Sequence, residues 1–117
     1  MEIGLKSTGG AKVRIGICVV AVAIAITSMA VTLAGNPKAA ADKAETLCAC
    51  CHGPDGISTN PLWPNLAGQK DQYFIKALKE YRDSIRPDPN MVAMAQGLGD
   101  KEIEDLAAYY ASFPDGT

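Results

Sequence analysis

With 117 residues, 11 basic and 13 acidic side chains and a formal net charge of −2, the chain has room for one domain once any targeting segment is set aside. Its Lys and Arg residues form no cluster of the kind that phosphate binding requires, so nucleic acid is excluded as an expected partner.

Residues 15–34, IGICVVAVAIAITSMAVTLA, carry no charge and come after Lys6, Lys12 and Arg14. A basic region leading into an apolar run reads as a secretory signal, and the small residues ending at Ala34 place the expected cleavage there. The competing reading is an uncleaved anchor, because roughly 20 apolar residues are enough to cross a bilayer. The expected division is therefore a signal peptide or anchor over 1–34 and a single domain over 35–117, with a periplasmic location and membrane contact only if 15–34 is retained. Loss of 1–34 removes Glu2, Lys6, Lys12 and Arg14 and leaves a mildly acidic domain of about 80 residues. A domain that small buries little of its own surface and needs a staple. Cys18 leaves with the signal, and Cys48, Cys50 and Cys51 lie too close together for a disulfide framework, so the staple is expected to be a cofactor.

Asn36-Pro37 reads as a helix start, with Asn as cap and Pro at the first helical position, and the run of helix formers after it predicts a helix from Pro37 to about Cys50. Between Gly53 and Gly68, the turn formers Pro54, Gly56, Asn60, Pro61 and Pro64 rule out a regular element. From Lys70 to Arg82, Phe74, Ala77, Leu78 and Tyr81 recur at helical spacing opposite Lys76, Lys79 and Glu80, which predicts an amphipathic helix. Pro87 and Pro89 predict an extended segment delivering Met91 and Met94. A last helix then starts at Gly99 or Asp100, with acidic residues in its first turns and Ile103, Leu106, Ala107 and Tyr110 as its buried stripe. No segment shows strand periodicity, and there is no internal repeat.

The chemistry concentrates in Cys48-Ala49-Cys50-Cys51-His52. It contains C-x-x-C-H, in which two thiols add to the two vinyl groups of haem and the adjacent histidine reaches the iron. A zinc site, a redox dithiol or cysteines without a role also fit five residues. Zinc needs four ligands around one ion, and these are contiguous, with no other Cys or His downstream of the signal. A redox dithiol of the thioredoxin type expects a βαβ context, which is missing.

From Asn36 to Pro114 the chain resembles the small bacterial class I cytochromes c, including domains of dihaem cytochromes and cytochrome subunits of sulfide-oxidising flavocytochromes. The resemblance rests on CACCHGPDG at 48–56, WPNLAGQ at 63–69, the Tyr73–Arg82 helix and MVAMAQGLGDKEIEDLAAYYAS at 91–112. It implies an all-α class I cytochrome c fold: three main helices and loops around one covalently bound haem c, with the N- and C-terminal helices crossing. It also implies that the Pro64 carbonyl accepts from Nδ1 of His52 and that Leu66 packs on the porphyrin. The second axial ligand of the iron must come from another residue type, as His52 is the only histidine. A methionine thioether is the natural candidate, and by the resemblance it is Met91, seven residues before Leu98, with Met94 packing nearby. Cys50 stands where the family carries a small residue, and Ala41 where it often has a glycine at the helix crossing.

The function implied is single-electron transfer, as an exported shuttle or a cytochrome subunit in a respiratory or sulfur-oxidising chain, with redox proteins as donor and acceptor. The alternative is a haem enzyme or gas-binding cytochrome, which needs an open iron position.

Overall fold

A computed structural model of the chain describes residues 34–115. The first helix, α1 (Pro37–Lys43), starts as its sequence dictates: the Asn36 side chain accepts from the Lys38 amide at 3.1 Å, and Pro37 takes the first turn, where its missing N–H costs nothing. Beyond Lys43 the backbone does not continue as one α-helix to Cys50. It widens into a π-helical turn, Ala44–Cys48, and closes again as α2 (Ala49–His52). One residue accommodated in such a turn rotates the downstream chain by about 100° relative to an unbroken helix. The Cys48–His52 segment is thereby turned relative to the face on which Ala40 and Ala44, both buried, sit.

Residues 53–70 form the irregular loop that its turn formers call for. Gly56 holds it together: its carbonyl accepts from the Leu66 amide at 2.7 Å and the Ala67 amide at 3.0 Å. Its φ of 72° and the proximity of Ala67, whose nitrogen would lie 2.8 Å from a Cβ, both require glycine there.

The amphipathic helix α3 (Asp71–Arg82) buries Phe74 and Leu78. The chain then departs from the sequence expectation. Pro87 and Pro89 do not enforce an extended segment through Met91 and Met94. Asp88 caps a short helix, α4 (Pro89–Ala95), by accepting from the Asn90 amide at 3.0 Å and the Met91 amide at 2.9 Å, and Pro89 occupies its first turn. Asp88 itself is extended, as a residue before proline must be.

The last helix, α5 (Asp100–Ala111), is capped at Gly99, whose amide donates to the Glu102 carboxylate at 2.9 Å. Its stripe of Ile103, Leu106, Ala107 and Tyr110 is almost wholly buried and forms the centre of the core. Each of Ile103 and Leu106 contributes about 1.5–3 kcal/mol through removal from water. Helix α1 packs on α5, and α3 packs on both α4 and α5. Small side chains permit the first contact: Ala40 and Ala44 are buried, whereas Ala41 is only half-buried, so the close approach falls on the former pair. Polar ties reinforce the arrangement. Asp105 accepts from the Asn36 amide at 2.5 Å, Lys43 pairs with Glu102, and Arg82 pairs with Asp100 at 2.6 Å. Hydrogen bonds from Arg82, Lys43 and Lys101 lower the carboxyl pKa values of Asp100, Glu102 and Asp105 respectively.

No strand occurs among the described residues, and none of their helices is long and apolar enough to cross a membrane. The apolar run 15–34, with the expected signal or anchor and Cys18, lies outside the described residues apart from Ala34.

Candidate functional site

A cavity of about 580 Å³ opens between α2, the 53–70 loop, α3, α4 and α5. Its volume falls in the range of pockets that enclose a small cofactor. The lining is mostly apolar, with Leu47, Phe74, Leu78, Leu98 and Leu106 forming the floor. Cys48, Cys51, His52, Pro64, Leu66 and Met91 all line it, although they come from three separate stretches of chain.

The two outer cysteines lie one turn apart at the π-helical junction, half-buried and free. Burial pushes the Cys48 thiol pKa up, and contact with the Cys50 sulfur, 3.6 Å away, pushes up that of Cys51. Both are therefore protonated thiols at neutral pH. Cys50 is exposed beside them.

His52 is 6% exposed, and its Nδ1 is 2.8 Å from the Pro64 carbonyl oxygen. A carbonyl only accepts, so Nδ1 carries the hydrogen of this bond, which in the neutral ring leaves the lone pair on Nε2. The ring is thus fixed in tautomer and orientation by a backbone group. Ser58 closes the loop from the other side: its hydroxyl donates to the Cys51 carbonyl at 3.1 Å. Leu66 is half-buried against the core.

Met91 is half-buried and packs against the core from α4, while Met94 on the same helix is 43% exposed. Both line the cavity. Further residues to which the sequence pattern gives no role at the site also line it, Trp63, Tyr73 and Arg86 among them. Of these, Trp63 lies beside Pro64 in a loop whose composition already suggests wrapping around a cofactor, whereas nothing local marks Arg86.

An apolar cavity with two thiols at C-x-x-C spacing, and a histidine whose Nδ1 is committed to the Pro64 carbonyl, fits a haem attached through thioethers. The Cytochrome c family model matches residues 37–113. The chain belongs to the cytochrome c family. It is 48% identical over 82 residues to cytochrome c-554(548) of Halomonas halodenitrificans, covering 68% of this chain and 98% of that one. It is 46% identical over 80 residues to cytochrome c4 of Thiocapsa roseopersicina, of whose length it spans 41%. A protein described as a thiosulfate dehydrogenase electron acceptor, from Stutzerimonas stutzeri, is 38% identical over 68 residues and is spanned to 32%.

This cytochrome accordingly has the all-α class I fold, carries covalently bound haem c, and is an electron carrier. Electron transfer implies redox partners. The cytochrome c4 relatives are more than twice as long as the stretch matched here, and what their remaining length does is a property of those proteins.

Proposed function

We propose that this cytochrome is an exported, periplasmic single-electron carrier whose haem iron is held by His52 and Met91. The observation that carries the reading is the convergence of His52, with Nδ1 committed to Pro64, and Met91 on one apolar cavity that also holds Cys48 and Cys51. Bound haem supplies an iron that exchanges one electron between its ferrous and ferric states.

The chain's own residues do the rest. Cys48 and Cys51 anchor the porphyrin through thioethers. His52 offers Nε2 in a fixed orientation, and the Pro64 hydrogen bond raises its basicity as a ligand. Met91 supplies a soft, neutral thioether that favours the ferrous state and raises the potential. Leu66 packs on the porphyrin and, with the apolar floor, keeps water away. With His52 and Met91 both holding the iron, electron exchange would need little rearrangement and no substrate site.

Donor and acceptor are redox proteins of a respiratory or sulfur-oxidising chain, in which the protein serves as a shuttle or as the cytochrome subunit of a larger complex. The sulfur-oxidising branch draws support from the relative described as a thiosulfate dehydrogenase electron acceptor. Membrane attachment would require residues 15–34 to be retained.

The alternative, a haem enzyme or gas-binding protein, requires an open iron position. Carbon monoxide added to the reduced holoprotein decides between them. The carrier reading expects no binding at neutral pH and a single one-electron couple; ready binding by the unmodified protein would overturn it.

A further inference from the structure

The chain is fastened to its last helix before α1 begins. Gly35 lies directly against the backbone of α5: a Cβ there would lie 2.8 Å from the Asp105 nitrogen and closer still to the Glu104 carbonyl oxygen. Its φ is not in the left-handed region, so the close approach, and not the backbone angle, demands glycine. One residue on, the Asn36 amide donates to Asp105 Oδ1 at 2.5 Å, and Pro37 opens α1. Ala34, on the other side of Gly35, is exposed.

Asp105 is the buried partner in this contact, at 7% exposure. Hydrogen bonds from Lys101 and the Asn36 amide hold its pKa below the ordinary carboxylate value, so it is ionised at neutral pH. Both donors go to Oδ1, and among the described residues no donor reaches Oδ2. A carboxylate offers about four lone-pair sites on its two oxygens. Half of that capacity is therefore without a protein partner where the chain enters the domain.

The expected cleavage falls between Ala34 and Gly35. Hydrolysis of that peptide bond by a signal peptidase consumes one water: the hydroxyl goes to the Ala34 carbonyl carbon, which leaves as a carboxylate, and the hydrogen to the Gly35 nitrogen, which is protonated at neutral pH. The new α-ammonium stands one residue before the amide that Asp105 already binds. A cut in the other small-residue run, Ala39-Ala40-Ala41, would instead remove the Asn36 cap, Pro37 and the buried Ala40. We propose that the mature chain begins at Gly35 and that its α-ammonium pairs with the Asp105 carboxylate, so that processing itself supplies a tie between the start of α1 and α5. The inference rests on the exported-carrier reading above. An uncleaved chain has an uncharged peptide nitrogen at this position and lacks the pair.

Among the other charged side chains of α1 and α5, Lys43 pairs with Glu102 and Asp100 with Arg82, which leaves Lys38, Asp42 and Glu104. Glu104 is the competing acid, because its own backbone touches Gly35. An opposite charge at about 4–6 Å shifts a pKa by about 1–3 units, and the low end applies at the protein surface. The Gly35 amine should thus titrate about one unit above its ordinary value of about 7.7–8.0. Because the folded value is the higher one, stability from the pair is complete below about pH 7.7 and is lost as pH rises through the folded pKa.

Two measurements on the holoprotein exported from a bacterial host test this. Intact mass should give a chain that starts at Gly35, and a chain that starts at Met1, at Asp42 or at any other residue overturns the proposal. Haem is read in the same spectrum, so a failure of the haem assignment registers separately. The second measurement is the pH dependence of acylation of the Gly35 amine by acetic anhydride, mapped on the N-terminal peptide. Only the free amine reacts, so an upward shift of about one unit makes the reaction at pH 7 about tenfold slower than in the same protein unfolded in denaturant. Asp105→Asn should return the rate to the unfolded value, and Glu104→Gln should leave it slow. An ordinary titration in the wild type, or a shift that survives Asp105→Asn and disappears in Glu104→Gln, overturns the pair. If Asp105→Asn does not fold, the wild type and Glu104→Gln still decide, because the proposal requires a raised value in both.

Discussion

Asp88 is the residue on which the position of Met91 turns. Its carboxylate accepts from the Asn90 and Met91 amides at 3.0 and 2.9 Å, so the backbone of the proposed ligand is held directly by the cap. Asp88→Ala removes both acceptors from a helix of only seven residues. Losing an N-cap costs about 0.5–2 kcal/mol, typically about 1, and here the loss falls on the helix that carries the proposed thioether ligand. A cost of about 1 kcal/mol raises the population of the methionine-off state about fivefold. The assay is the apparent affinity of the oxidised protein for cyanide, which enters only when Met91 leaves, alongside the far-red charge-transfer band of the iron–sulfur bond. Affinity should rise about fivefold in Asp88→Ala and much less in Asp88→Asn, which keeps an acceptor oxygen. If Asp88→Ala lowers global stability by that amount yet leaves cyanide affinity unchanged, the cap does not govern the ligand and the reasoning fails.

Cys48→Ala or Cys51→Ala should each lose one thioether, while Cys50→Ala should keep the haem through acid-acetone extraction and show one haem by mass, since only the outer pair has the spacing to His52. Met94→Ala should cost less than the ~2–5 kcal/mol of a buried methionine, because the side chain is 43% exposed, and denaturant unfolding of the holoprotein measures it. Ile103→Ala, at a fully buried position, should cost the full ~2–5 kcal/mol by the same assay. Asp100, Glu102 and Asp105 have folded pKa values below their ordinary ones, so the unfolded chain takes up protons first as pH falls. Stability from these pairs should be complete above about pH 5 and decline as pH drops through about 4 and below; unfolding midpoints against pH check this.

The parts of the fold that obey local rules are legible in the sequence. Asn36-Pro37 starts α1, the Gly and Pro density around Gly56 makes the loop, and the spacing of Ile103, Leu106 and Tyr110 gives the buried face of α5. Helix α4 is not, because two prolines weigh toward an extended chain, whereas Asp88-Pro89 is also a cap with a tolerated first-turn proline after it. The π-helical turn has no sequence signature of its own; it arises where the chain buries Ala40 of α1 and Ala44 at the start of the turn while the residues that follow must aim Cys48 and His52 elsewhere. At the site, the C-x-x-C-H motif announces its chemistry because its members are adjacent. Arg86 does not, because it reaches the cavity only through the turn at Ser84 and the packing of α3.

The central claim is that Met91 would hold the iron together with His52, and the charge-transfer band of the oxidised protein tests it most directly. The account expects the band in the wild type and in Met94→Ala, and its loss in Met91→Ala together with a lower potential and ready binding of carbon monoxide to the reduced form. A band that survives Met91→Ala and vanishes in Met94→Ala would move the ligand to Met94, and a band that survives both substitutions would contradict methionine ligation altogether.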